Sequence, residues 1–99
     1  MKKHLKFAHN TNVIKFDKIV RKDALPKMCW HDLRCAIKHM KQSRDMAELE
    51  FWYAEAEKDI CTLKGFFAGN GDNVSFRYTL DLDLLVLNLK QKYSRNIKR

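Results

Sequence analysis

Ninety-nine residues fit one domain, and a chain this short buries only about two thirds of its unfolded surface. An apolar share of 45%, with eleven aromatic residues, is too high for a disordered chain. Twenty Lys and Arg against twelve Asp and Glu leave a net charge of +8, which favours anionic partners: nucleic acid, an acidic protein face or an anionic surface.

No stretch approaches the roughly 20 apolar residues that a membrane span requires. The opening Met1-Lys2-Lys3-His4-Leu5-Lys6 has the basic start of a signal peptide without the apolar run that should follow. Three cysteines, Cys29, Cys35 and Cys61, are an odd number, which fits free thiols in a reducing compartment better than a disulfide framework. The expected location is cytoplasmic.

In chain order, Leu5-Lys6-Phe7 alternates as a short strand does, and Asn10-Thr11-Asn12 is turn chemistry. Residues 13–22 fit two readings. Val13, Phe16 and Val20 share a helix face, while Ile14 and Phe16 also suit an edge strand. Asp23-Ala24-Leu25-Pro26 reads as a helix start, with Asp as cap and Pro in the first turn. Trp30, Leu33, Ile37 and Met40 then form one apolar stripe.

Gln42-Ser43-Arg44-Asp45 interrupts that stripe, and Asp45 with Glu48 resembles a capping box for a second helix. Met46, Leu49, Tyr53, Ala56, Ile60, Leu63 and Phe67 follow a three-four spacing without a miss, the pattern of a seam against another helix. The break in phase between Met40 and Met46 favours a helical hairpin over one long helix. Gly65 and Phe66 are expected to fray the second helix, and Gly69-Asn70-Gly71-Asp72-Asn73 to end it.

Val74, Phe76, Tyr78, Leu80 and Leu82 alternate with polar residues and read as a half-buried strand. Residues 84–89 are apolar on both parities, so 82–93 fits a central strand or a helix capped by Asp83. The expected fold is therefore α+β: a helical hairpin packed on a small antiparallel sheet. It forms a single small basic domain over residues 1–99, with 90–99 as a frayed basic tail.

Charge is unevenly spread. Residues 1–42 carry +8, residues 43–63 carry −4 and residues 64–99 carry +4. The acids of the second helix are expected to pair with Arg34, Lys38 and Lys41 on the first. The remaining bases form the nucleic-acid candidate: Lys2, Lys3, Lys6, Lys15, Lys18, Arg21 and Lys22 with Lys90, Lys92, Arg95, Lys98 and Arg99. Phe7, Phe16 and Tyr93 lie among them and could stack on unpaired bases.

His31, Cys35 and His39 recur at every fourth residue and share one helix face. Three ligands over two turns cannot all reach one ion, so they are weak metal candidates only. Phe51, Trp52 and Phe66 lie off the centre of the second helix's seam and are the candidate protein interface. That helix, residues 46–67, could also pair with a second copy of the chain.

There is no Gly-rich phosphate loop or nucleophile elbow, and no cofactor is implied. The strand–helix–helix–strand order is similar in architecture to small ribosome-dependent toxin nucleases, in which histidines near cations would act on RNA. No catalytic motif aligns, so the resemblance assigns no residue. The leading expectation is a small, basic, non-enzymatic binding protein acting on nucleic acid or on a machine that processes it. The alternative is a small inhibitor or adaptor, of the kind mobile elements encode, that binds a host protein through its helices. A toxin-like ribonuclease comes third.

Overall fold

The computed structural model describes residues 23–97, which form three α-helices: α1 (Ala24–Gln42), α2 (Met46–Gly69) and α3 (Asn73–Ile97). The strand expected at Leu5–Phe7, the turn at Asn10–Asn12 and the two-way reading of 13–22 lie outside the described residues. Three-residue connections make each helix antiparallel to the next. Both α1 and α3 pack on α2 and touch each other only slightly, so α2 is the central element.

The hairpin stripes are in place. Trp30, Leu33, Ile37 and Met40 of α1 are buried against Leu49, Ala56, Ile60, Leu63 and Phe67 of α2, with Met46 and Tyr53 half-buried at the edge. Leu33, Met40, Leu49, Ile60 and Leu63 are fully enclosed, each contributing about 1.5–3 kcal/mol of burial before ordering entropy is charged.

The ends of α2 follow local rules. Asp45 Oδ1 accepts the Glu48 N–H at 2.8 Å, and Glu48 Oε1 reaches back to the Arg44 N–H at 2.7 Å. This is a capping box displaced by one residue on its return bond. Asp23 stands at the N-cap of α1, but its side chain makes no capping bond. Gly65 and Phe66 do not fray α2, which continues to Gly69. There the N–H of Gly71 bonds Ala68 O at 3.1 Å, and that of Asp72 bonds Phe67 O at 2.9 Å. Gly71 adopts φ +67°, the left-handed conformation this Schellman closure requires.

The expected α+β fold is corrected: among the described residues there is no strand and no sheet, and residues 74–93 lie within one helix. The similarity in architecture to toxin nucleases falls with the sheet. The alternation from Val74 to Leu82 misled because the helical stripe here is partly polar. The buried positions are Ser75, Thr79, Leu82 and Val86, while Val74 and Leu80 point outward at 63% and 48% exposure.

Each buried hydroxyl is satisfied locally. Ser75 Oγ donates to Asp72 Oδ2 at 2.6 Å, and Thr79 Oγ1 donates to Phe76 O. The Ser75 N–H also donates to Asp72 Oδ1 at 3.0 Å, so Asp72 caps the helix. Leu82, Val86, Leu89 and Tyr93 continue the face that packs on the core, and Ile97 extends it to the helix end.

Nothing stands within 4 Å of a Cβ added at Gly71, so its replacement costs only backbone strain. Gly71→Ala is expected to lower stability by about 1 kcal/mol, read as a shift in urea midpoint at unchanged slope. An unchanged midpoint would mean that the left-handed turn is not needed.

Candidate functional site

Charge sorts by position once the helices are placed. Residues 23–97 hold eleven Lys and Arg and eleven Asp and Glu, so the excess of +8 belongs to residues 1–22 and 98–99. Lys2, Lys3, Lys6, Lys15, Lys18, Arg21, Lys22, Lys98 and Arg99 lie outside the described residues. Lys90, Lys92 and Arg95 lie in the last two turns of α3.

Antiparallel packing brings three helix ends together. His39 of α1 stacks on Trp52 of α2, with ring centroids 4.1 Å apart and 14° between planes. Lys90 of α3 places its ammonium 4.6 Å from the ring centre of Tyr53 on α2. The C-terminal ends of α1 and α3 therefore meet the N-terminal end of α2. Lys38, Lys41, Arg44, Lys90, Lys92 and Arg95 gather at this end of the bundle, and all but half-buried Lys90 are exposed. Cations suit the C-terminal ends of α1 and α3, where the helix dipoles are negative. With three helices alternating in direction, Ala24 begins at the opposite end. The basic segment before α1 and the two basic residues after α3 thus join the bundle at opposite ends.

Among the described residues, α2's acids are not found paired with Lys38 or Lys41 as expected. Lys58 approaches Glu55 on the same helix at 3.8 Å, and Lys64 bridges to Asp83 of α3. The hydrogen bond from Lys64 to Asp83 raises the Lys64 pKa. Asp83 Oδ1 is buried without a partner. Tyr53 has a raised pKa through burial, then its hydrogen bond to Glu57 and the charges of Glu57 and Asp83.

The metal candidates do not converge. Cys35 Sγ lies 3.7 Å from His31 Nε2 on the exposed face of α1, whereas His39 is stacked on Trp52. Among the described residues, no group of three metal-ligating side chains is brought together. Burial, and then the charges of Asp59 and Asp32, raise the Cys29 pKa.

The candidate interface residues share one edge of α2. Phe51 is 55% exposed and meets Trp52 edge-on at 4.9 Å; Phe66 is half-buried and edge-on to Phe67 at 5.5 Å. The spacing shows a pattern the composition hides. Trp52, Asp59 and Phe66 recur every seven residues on α2, as do Leu25, Asp32 and His39 on α1, so each set forms one row along its helix. The rows run antiparallel. His39 meets Trp52, and Asp32 lies close enough to Asp59 to act on its charge. The outer seam of the hairpin thus has an aromatic layer and an acidic layer.

The acidic layer was not anticipated, because Asp32 and Asp59 come together only when the two helices pack antiparallel. Asp59 is only 8% exposed. Burial, followed by the charges of Asp32 and Glu55, pushes its pKa up to about 6, against a small lowering by Lys58. Outside the core, Leu80, Leu84 and Leu87 form a short exposed stripe on α3. A shallow open cleft along that helix is lined by Val74, Arg77, Tyr78, Leu80 and Asp81. Among the described residues, no helix is long and apolar enough to cross a membrane.

Because Asp59 holds its proton more tightly in the folded chain, its ionisation costs stability as pH rises from about 4 to 6. Asp59→Asn is therefore expected to stabilise the protein by about 2 kcal/mol at pH 7 and by little at pH 4. Urea unfolding of variant and parent at both pH values reads this difference. An equal effect at both would remove the acidic layer as its cause.

No family model, no curated protein and no solved structure matches this chain.

Proposed function

We propose that this is a non-enzymatic binding protein that engages nucleic acid, or a machine that processes it, through its basic ends. The supporting observation is the segregation of charge. The described bundle is neutral, and six cations from α1, α3 and the α1–α2 connection gather at the end that leads into Lys98 and Arg99. A phosphate backbone rewards such a cluster because each neutralised phosphate releases counterions. Asp45 and Glu48 at that end are held in the α2 cap, where they accept backbone N–H groups instead of pairing with these cations.

Lys92 and Arg95 are the informative positions, since both are exposed, whereas Lys90 also packs on Tyr53. Replacing both with Ala should weaken DNA and RNA binding alike, whatever the sequence. It should also flatten the dependence of log K on log salt by about 2 units, as measured by fluorescence anisotropy over a salt series. Binding that is absent, or indifferent to salt, would overturn the proposal.

An adaptor for a protein partner is the second reading. It is favoured by the exposed Phe51 beside Trp52, and by the attachment of the two basic ends at opposite ends of the bundle. Pull-down with nuclease treatment should then recover one stoichiometric protein, lost on Phe51→Ala while the helical circular dichroism is retained. Recovery that vanishes with nuclease would reject this reading.

A further inference from the structure

We infer that the side of the bundle formed by α1 and α3, opposite the outward side of α2, is a track for a nucleic-acid phosphate backbone along the length of the bundle. The inference rests on the nucleic-acid reading and extends its site from one end of the bundle to a whole side.

The described bundle is neutral, but its helices are not. Four Lys and Arg against Asp32 give α1 a charge of +3, and four against Asp81 and Asp83 give α3 a charge of +2. Lys58 and Lys64 against five Asp and Glu leave α2 at −3. Both positive helices pack on the negative one and also touch each other, so charge is polarised across the bundle.

Helix spacing assigns the sides. Lys27, Arg34, Lys38 and Lys41 are seven, four and three residues apart, so they form one exposed row along α1. The row borders the buried Trp30 and Ile37. The other flank of α1 carries Asp32 and His39, which are turned to Asp59 and Trp52 of α2. On α3, Asp83 and Lys90 mark the flank turned to Lys64 and Tyr53 of α2. Arg77, Lys92 and Arg95 lie on the other flank and are exposed, with Asp81 as the acid among them. The basic flanks of α1 and α3 therefore border the same side.

The α1 row is roughly 21 Å long. Because α1 and α3 are each antiparallel to α2, they run parallel, with Lys27 and Arg77 near one end and Lys41 and Arg95 near the other. A polyanion laid along this side meets cations at both ends, while the acids of α2 lie away from it. Trp30 is only 3% exposed and Tyr78 is half-buried, so the side offers charge more than rings for base stacking. Contact is thus to phosphates, without sequence preference.

Lys27→Ala with Arg77→Ala removes the two cations farthest from Lys92 and Arg95. The full-length chain is titrated over a salt series by fluorescence anisotropy, with duplex DNA and single-stranded RNA as probes. The slope of log K against log salt should flatten by about 1.8 units on the duplex and about 1.4 on the single strand. Lys27→Ala alone should give half of each change, and Lys58→Ala on α2 none.

An unchanged slope in the double variant, alongside the loss expected of Lys92 and Arg95, would overturn the track and leave binding at the end of the bundle intact. A change confined to one probe, or an equal change with Lys58→Ala, would also overturn it. Absence of salt-dependent binding by the parent chain would overturn the nucleic-acid reading together with the track.

Discussion

Everything in this bundle leans on one helix. The seam of α2, from Leu49 through Ala56, Ile60 and Leu63 to Phe67, is the surface against which both α1 and α3 bury their apolar faces. Because α1 and α3 barely touch each other, neither has another large apolar face to pack on among the described residues. Small Ala56 lets the neighbours approach closely, while Ile60 and Leu63 fill the space between them. The central helix must therefore be long and well terminated. Its capping bonds at Asp45 and its closure at Gly71 fix where both neighbours begin and end.

Around this apolar seam the protein tolerates polar groups of two kinds. Ser75 and Thr79 enter the α2–α3 contact, but their hydroxyls bond within α3, so they cost little. Asp59 differs, since burial and the neighbouring Asp32 and Glu55 oppose its charge and Lys58 offsets them only in part. Local violations of this kind concentrate where a surface serves binding more than folding. Asp83 is an intermediate case, with one oxygen bridged to Lys64 and the other left unpaired.

Charge and shape are divided along the chain in a way that separates two kinds of contact. The neutral bundle presents an edge of α2 with aromatic and acidic groups, whereas the excess positive charge lies in the segments flanking it. Antiparallel packing sets cations from α1 and α3 beside the α2 N-terminus, at the opposite end from the start of α1.

The sequence by itself determined the hairpin, because unbroken stripes at Trp30–Met40 and Met46–Phe67 bury only as helices. It also determined the stop at Gly71, whose conformation follows from local chemistry. Free cysteines and uneven charge were equally legible. It misdirected the third element, because Ser75 and Thr79 occupy buried helical positions and the apolar residues between them alternate as in a strand. Only contact with α2 revealed which of those positions face inward. Tertiary structure alone decided the acidic layer. Asp32 and Asp59 are ordinary surface residues of their own helices, and they oppose each other only when antiparallel packing aligns two rows twenty-seven residues apart. The same packing decided where the +8 could act. Composition counts charges, but only the alternating direction of three helices fixes the ends at which they join the bundle.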